Sequence, residues 1–386
     1  MARPRATAAL RVGHRRLDLV AVGPDHDVLT TRTAPNPPCP DGPYPRMDVD
    51  HVWRWLLAAL ADFGETFAID AIVPTAHGRT AALVDGRDLL LPLMDPVATP
   101  PPDVVEAYLD LAPDPTRVGA QLGPACSTLG LQLFWQVSRF APLLDRARYV
   151  LPHAQYWGWR LTGGGAAADL SSLGRASHLV EPRGRRVSAL VRDLELQTRL
   201  PPLRQPQEPL GRLAGPVAEF TGLSAATPVL VGADDQAAAH GRFLAAGLET
   251  ATIIVDDDGP QLLDVVAPSR EPPIDAATQL ISGLDGRPLA RRTLVDASAS
   301  VARAIDCALT QTGARGAVVV EAGPAADESI WPQLATHRAA HGQAVFTTPA
   351  ETGFAIGASI LAGWRGRRRP PRLDLTRVVP PNATDD

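Results

Sequence analysis

The chain has 386 residues, too many for one ordinary core and suited to two domains of roughly 150–200 residues each. Its 45% apolar and 20% charged residues exclude wholesale disorder, and a net charge of −5 gives no basis for a nucleic-acid or membrane-surface partner. Lysine is absent and all 37 basic residues are arginine, which excludes a P-loop lysine, a lysine Schiff base and a lysine general base.

Residues 8–22 set short apolar pieces around Gly13 and an arginine pair, and predict a strand, a turn and a second strand. Val52, Leu56, Ala59, Leu60 and Phe63 recur at helical spacing, so 51–63 reads as a helix with Asp50 as its N-cap. A buried strand at 69–75 leads to His77-Gly78 and a further strand through Leu83-Val84, closed by the turn signal Asp85-Gly86. From about 103 to 225 the pattern is helical and loop-rich. An apolar strand at 228–231 ends at Gly232, and a small-residue helix begins near Asp235. Residues 252–255 and 317–320 read as strands of a second unit, and 353–363 as a helix rich in small residues. Strands alternating with helices in both halves predict α/β layers, with a boundary near 244–250. The tail from about 366, with Arg367, Arg368 and Arg369 before two prolines, reads as exposed and flexible. No internal sequence repeat is visible.

Cys39, Cys126 and Cys307 are far apart and match no metal or redox spacing, as in a protein kept in a reducing compartment. No apolar stretch follows Arg3 and Arg5 as a secretory signal requires, and no run approaches the ~18 residues that span a bilayer. A cytoplasmic protein without a membrane span is expected.

The segment 152–163 carries the run Gln155-Tyr156-Trp157-Gly158-Trp159-Arg160-Leu161-Thr162-Gly163, followed by Ser171-Ser172-Leu173-Gly174. Together they resemble the FGGY family of carbohydrate kinases, in particular its rhamnulokinase- and fuculokinase-like branch. Other pieces fall in the family's order: Thr75-Ala76-His77-Gly78 before Ala82-Leu83-Val84-Asp85, Leu131 to Trp135, Thr221-Gly222-Leu223, and Gly232-Ala233-Asp234-Asp235-Gln236-Ala237-Ala238. The resemblance spans about residues 40–245 and continues through 317–323 and 352–358. It implies an α/β protein of two actin-like (ribonuclease H-like) ATPase domains flanking a central cleft. Residues 1–245 would form the sugar-binding domain and 246–386 the nucleotide-binding domain. The implied reaction passes the γ-phosphoryl group of ATP, with Mg2+, to a hydroxyl of a ketose or deoxyketose. The implied partners are a small sugar and ATP, a homodimer remains an open option, and neither nucleic acid nor membrane is implied.

By the same resemblance Asp235 occupies the position of the catalytic aspartate, and a carboxylate there could accept the sugar hydroxyl's proton as general base. The competing reading is that Asp234 and Asp235 merely cap the following helix. Gln236, His77, Gly78 and Arg79 are candidates for contact with sugar hydroxyls, with a plain surface turn as the alternative for His77. Asp95 and Gln132 are further sugar-side candidates, as is Trp135, whose ring could stack on a sugar or sit in the core, whereas Trp157 and Trp159 read as core. On the nucleotide side the resemblance points to Gly13, Asp257, Gly259, Gly323, Gly353 and Gly357. No residue is assigned as a metal ligand.

The two phosphate loops depart from the family's pattern. Where the family has an aspartate, then Gly and hydroxyl residues, this chain has Arg11-Val12-Gly13-His14-Arg15-Arg16. The second loop reads Val255-Asp256-Asp257-Asp258-Gly259. Three arrangements are open: ion pairs of Arg15 and Arg16 with the aspartates across the cleft, a rearranged metal site on the aspartates, or two solvated surface loops. With them two functions stay open, a working sugar kinase and a catalytically impaired relative that binds a sugar or a protein.

Overall fold

The first strand, β1 (Arg5–Val12), reads RATAALRV, a run of small and aliphatic residues that suits a strand covered on both faces. In this computed structural model, which describes residues 2–175, 177–248, 250–256, 262–268, 278–295, 301–322, 330–349, 352–363 and 371–380, it does have two covers. A hairpin leads to β2 (Arg16–Val22) and then β3 (Val28–Pro35). Helix α1 (Val49–Thr66) crosses to β4 (Ala68–Ala76). Its N-cap is Asp48, which accepts from the His51 amide, two residues before the expected Asp50.

A helical and loop-rich stretch follows, including α2 (Leu129–Arg139) and α3 (His153–Thr162). The expected strand near 83–84 runs Ala81–Val84 and pairs with Tyr149–Pro152 as a separate ribbon. Then come β5 (Pro209–Arg212), β6 (Pro228–Leu230), β7 (Ala233–Asp234) and α4 (Asp235–Ala245). The remainder supplies β8 (Ala251–Asp256), β9 (Leu262–Pro268), β10 (Thr278–Ser282), β11 (Pro288–Val295), α5 (Val301–Gln311), β12 (Val318–Ala322), α6 (Ile330–Ala339), β13 (Val345–Pro349), α7 (Gly353–Gly363) and β14 (Thr376–Arg377).

These strands form two seven-stranded sheets with the orders β5-β6-β4-β1-β2-β3, to which β7 adds beside β4, and β10-β11-β9-β8-β12-β13-β14. Their inner layouts match. In the first, β1 is antiparallel to β2 and β2 to β3, while β4 and β6 run parallel to β1. In the second, β8 and β9, then β9 and β11, are antiparallel, while β12 and β13 run parallel to β8. The crossover helix α1 of the first unit corresponds to α5 of the second. The chain thus repeats a topology without repeating a sequence, as two actin-like units require.

Alternation along the first sheet divides its side chains between two layers. Ala6, Ala8 and Leu10 of β1 with Leu17 and Leu19 of β2 pack under Val52, Leu56, Leu60 and Phe63 of α1 and Tyr156 and Trp157 of α3. Trp157 is fully buried and Trp159 nearly so, the core role expected for both. Ala9, Val20, Val22 and Val73 point to the other face, against Ala237 of α4 and Phe354, Ala355, Ala358 and Leu361 of α7. So α7, which comes after all but the last strand of the second sheet in sequence, returns to cover the first. Its contact with α4 is close: a Cβ on Gly357 would lie 1.9 Å from the Ala238 carbonyl oxygen.

Candidate functional site

Strand register gathers the candidates at one end of the first sheet. Val12 pairs with Ala76, and Ala76 pairs with Asp234, so β1, β4 and β7 end level with one another. From these carboxyl ends emerge the β1–β2 turn, the His77–Gly78–Arg79 turn and the start of α4, where ligands of open parallel sheets collect.

The approach to α4 needs glycine at position 232. Its φ is +78°, and any Cβ there would lie 2.0 Å from the Pro74 carbonyl oxygen. Two residues on, the adjacent aspartates divide their tasks. Asp234 is the helix N-cap: Oδ1 accepts from the Ala237 amide at 3.0 Å and Oδ2 from the Gly78 amide at 3.0 Å. Burial pushes its pKa up, opposed by the Arg175 guanidinium. Capping therefore belongs to Asp234, and Asp235, the first helical residue, keeps a carboxylate 15% exposed. Arg175 bridges the pair, with Nη1 at 3.0 Å from Asp234 and 3.2 Å from Asp235, and is itself 3% exposed. Ser171 Oγ accepts from the Asp234 amide and donates to Asp169, so the aspartates stand on a buried polar chain.

His77 is not a surface-turn residue. It is 3% exposed, its ring centroid lies 4.4 Å from that of His153 and 6.1 Å from that of His14, and neither of its ring nitrogens has a protein hydrogen-bond partner. The fully buried His153 ring faces the His77 backbone. Burial drives the pKa of His77 well below its ordinary value, helped by His153, Arg79 and His14. Burial brings His153 to about 4, only partly offset by a hydrogen bond with the His77 backbone and by the Asp235 carboxylate. Both rings are neutral at pH 7, each with one donor and one acceptor.

Asp95 closes the other side. Its Oδ1 accepts from His14 Nε2 at 2.8 Å and from the Val97 amide at 2.9 Å. Burial pushes this carboxyl up, but those two bonds, together with the neighbouring His14 and Arg15 side chains, outweigh it and leave the pKa below the usual value. His14, His77, Asp95, Met47, Met94 and Asn36 line a small recess there.

Other candidates are placed differently. Gln132 gives its side-chain amide hydrogens to the Arg79 and Cys126 carbonyls and accepts from Thr80, so it braces the Arg79 turn. Gln236, half-buried, donates its backbone amide to Asp235 Oδ1 at 2.9 Å. Gly13 sits in the hairpin turn, donating to the Arg16 carbonyl and accepting from Asn36 Nδ2 at 2.8 Å. Gly353 makes room for Arg242, whose Nη1 would be 2.6 Å from a Cβ there, and Arg242 pairs with Glu321 at 2.8 Å in full burial. Gly353 and Gly357 of α7 thus have a packing reason to lack a side chain. Asp257, Gly259 and Gly323 lie outside the described residues.

Arg175, His153 and His14 were not among the sequence candidates. Arg175 follows the Ser171–Gly174 motif directly, and His153 opens the helix that carries the tryptophans. Their proximity to the aspartates and to His77 is the signal, and it is three-dimensional.

A divalent metal does not fit the donors on view. Among the described residues no group of three His, Cys, Asp or Glu side chains could hold one. The nearby carboxylates are already matched: Asp18 with Arg11 and Arg16, Asp95 with His14, Asp234 and Asp235 with Arg175, and Glu321 with Arg242. Arg16 is thus held by Asp18 of its own hairpin and Arg15 lies 3.9 Å from Asp95; of their proposed partners across the cleft, Asp256 ends β8, and Asp257 and Asp258 lie outside the described residues.

No family profile and no curated protein sequence matches the chain. Solved structures do. A carbohydrate kinase from Novosphingobium aromaticivorans is 21% identical, with 98% of each chain covered and a TM-score of 0.85. A xylulose kinase and a gluconate kinase from Lactobacillus acidophilus, each 11% identical, cover 97% of this chain and 94% of their own, with TM-scores of 0.77 and 0.76. No helix among the described residues is long and apolar enough to cross a membrane. At these identities the likeness establishes the architecture: the chain has the two-domain actin-like α/β fold seen in these sugar kinases.

Proposed function

We propose that the protein is an FGGY-type carbohydrate kinase, of the rhamnulokinase- and fuculokinase-like branch, that phosphorylates a hydroxyl of a ketose or deoxyketose with ATP. The sugar lies on the 1–245 side of the cleft and the nucleotide on the 246–386 side. Asp235 is the general base, held by Arg175 so that its carboxylate meets the attacking hydroxyl as the phosphoryl group arrives.

One observation carries the reading. Both ring nitrogens of buried, neutral His77 have no protein partner, and the His153 ring 4.4 Å from it is close enough to feel the charge of Asp235, the aspartate of the pair that is not used as a cap. Buried polar atoms normally find partners. A sugar hydroxyl, donor and acceptor at once, satisfies such nitrogens where an apolar ligand cannot.

The test is a screen of ketoses and deoxyketoses for ADP release from ATP. The expected result is turnover with one of them and a loss of at least ~10²-fold in Asp235→Asn, as for a missing general base. Release of no ADP with any sugar rejects the kinase, and an unimpaired Asp235→Asn enzyme rejects Asp235 as base.

A further inference from the structure

His77 is not the only buried group left without a partner beside the β1–β2 turn. Asn36 follows β3 directly and is 2% exposed. Its side-chain amide donates to the Gly13 carbonyl at 2.8 Å and its backbone amide to the Arg15 carbonyl at 2.8 Å, so both nitrogens are committed to the hairpin turn. The first bond also fixes which end of the side-chain amide is oxygen, because the reverse orientation would set two carbonyl oxygens against each other. Oδ1 is therefore a buried acceptor, and it has no protein partner.

Asn36 shares its recess with His77, whose two ring nitrogens are also unpartnered, and with Asp95, whose Oδ1 already accepts from His14 and the Val97 amide. Met47 and Met94 supply apolar walls, and neither thioether has a proton to give to Asn36. The space is small, enough for about one water-sized group rather than a sugar ring. Its occupant is thus a single group of a larger ligand, one that donates to Asn36 Oδ1 and also bonds to a neutral imidazole. A hydroxyl does both. A methyl of similar size leaves buried polar atoms unpaired.

The level ends of β1, β4 and β7 set the turn after β1 two strands from Asp234, on the order of 10 Å. A sugar whose reacting hydroxyl meets Asp235 therefore brings its opposite end to Asn36. We propose that Asn36 is a specificity-determining residue, whose Oδ1 accepts a hydrogen bond from the terminal hydroxyl remote from the one phosphorylated. The substrate is then a ketose hydroxylated at both ends, and not one that ends in a methyl group. This rests on the kinase reading for the ligand being a sugar, and it narrows that reading's choice between ketose and deoxyketose.

Ketopentoses and ketohexoses are titrated calorimetrically into the full-length protein without ATP, each beside its two derivatives that lack one terminal hydroxyl. Wild type is compared with Asn36→Ala and with Asn36→Asp, which keeps an acceptor oxygen. Expected is binding of a ketose, and binding at least ~10²-fold weaker of the derivative that lacks the hydroxyl at Asn36. In Asn36→Ala that ratio falls below about tenfold while the ratio for the other derivative is unchanged, and in Asn36→Asp both ratios are kept. A role confined to bracing the turn would instead weaken the parent sugar and both derivatives alike. Should Asn36→Ala not fold, the ratios in Asn36→Asp decide alone. Equal affinity for parent and derivatives, wild-type ratios in Asn36→Ala, loss of the ratio in Asn36→Asp, or binding of no ketose each overturns the assignment. If a ketose binds with the expected pattern and no ADP is released from ATP, the role of Asn36 stands and the kinase falls. If ADP is released equally well with a ketose and with its derivative that ends in a methyl group, the kinase stands and this inference falls.

Discussion

Acidification should destabilise the protein through histidines that the fold keeps neutral. His153 and His240 are both fully buried, and burial first of all lowers each pKa from 6.5 to about 4. His240 accepts or donates one hydrogen bond, Nδ1 to Thr252 Oγ1 at 2.9 Å, and its Nε2 has no protein partner. Between these two pKa values the unfolded chain binds the proton and the folded one does not, so stability rises with pH and is lost as pH falls from about 6.5 toward 4. At pH 5 the linkage amounts to about 2 kcal/mol for each imidazole. Asp169, Asp234 and Glu321 act in the opposite sense, because burial raises their pKa and the folded state holds those protons more tightly. The histidine share is therefore isolated by difference. Urea unfolding of wild type and His240→Phe is compared at pH 7 and pH 5, and the variant should lose about 2 kcal/mol less on acidification. In histidine ring NMR, the signals absent from His153→Phe and His240→Phe should stay in the neutral form down to about pH 4. An identical pH response of His240→Phe and wild type, or ring titrations near 6.5, would refute the reasoning.

Replacing Arg175 with Met leaves two buried or half-buried carboxylates without their shared cation, and a loss of about 3–5 kcal/mol in unfolding free energy is expected, part of it recovered in Arg175→Met/Asp234→Asn. Gly357→Ala drives a methyl into the Ala238 carbonyl, and a loss of about 1–3 kcal/mol should appear as a lower urea midpoint. A Gly357→Ala protein as stable as wild type would show that α4 and α7 can move apart freely.

Where the chemistry is local, the sequence is a good guide. The helix 353–363, the strand–turn–strand around Gly13 and the capped start of α4 all follow from residues a few positions apart. The Asp48 cap lies two positions from Asp50 because both residues can cap and only the entry angle of the chain decides between them. Strand order is another matter. Nothing in the small-residue pattern of α7 says that its partner face is built from Ala9, Val20 and Val73, more than 270 residues earlier. The duplicated topology is hidden for the same reason: it lies in pairing, and the paired strands share no motif. At the site, His77 stands out because it follows an apolar run, and Asp235 because its segment resembles that of the FGGY kinases. Arg175 does not, since in a chain whose every basic residue is arginine one more arginine carries no signal until its two carboxylate partners are seen.

The return of α7 also dictates an order of events during synthesis. The ribosome completes all strands of the first sheet more than 100 residues before it makes Phe354, Ala355, Ala358 and Leu361, which cover Ala9, Val20, Val22 and Val73. Until then that face of the sheet has α4 but not α7 as cover, and an apolar surface of that kind is what chaperones and neighbouring nascent chains bind. The first unit can thus begin to fold early, but its final packing awaits one of the last helices of the chain.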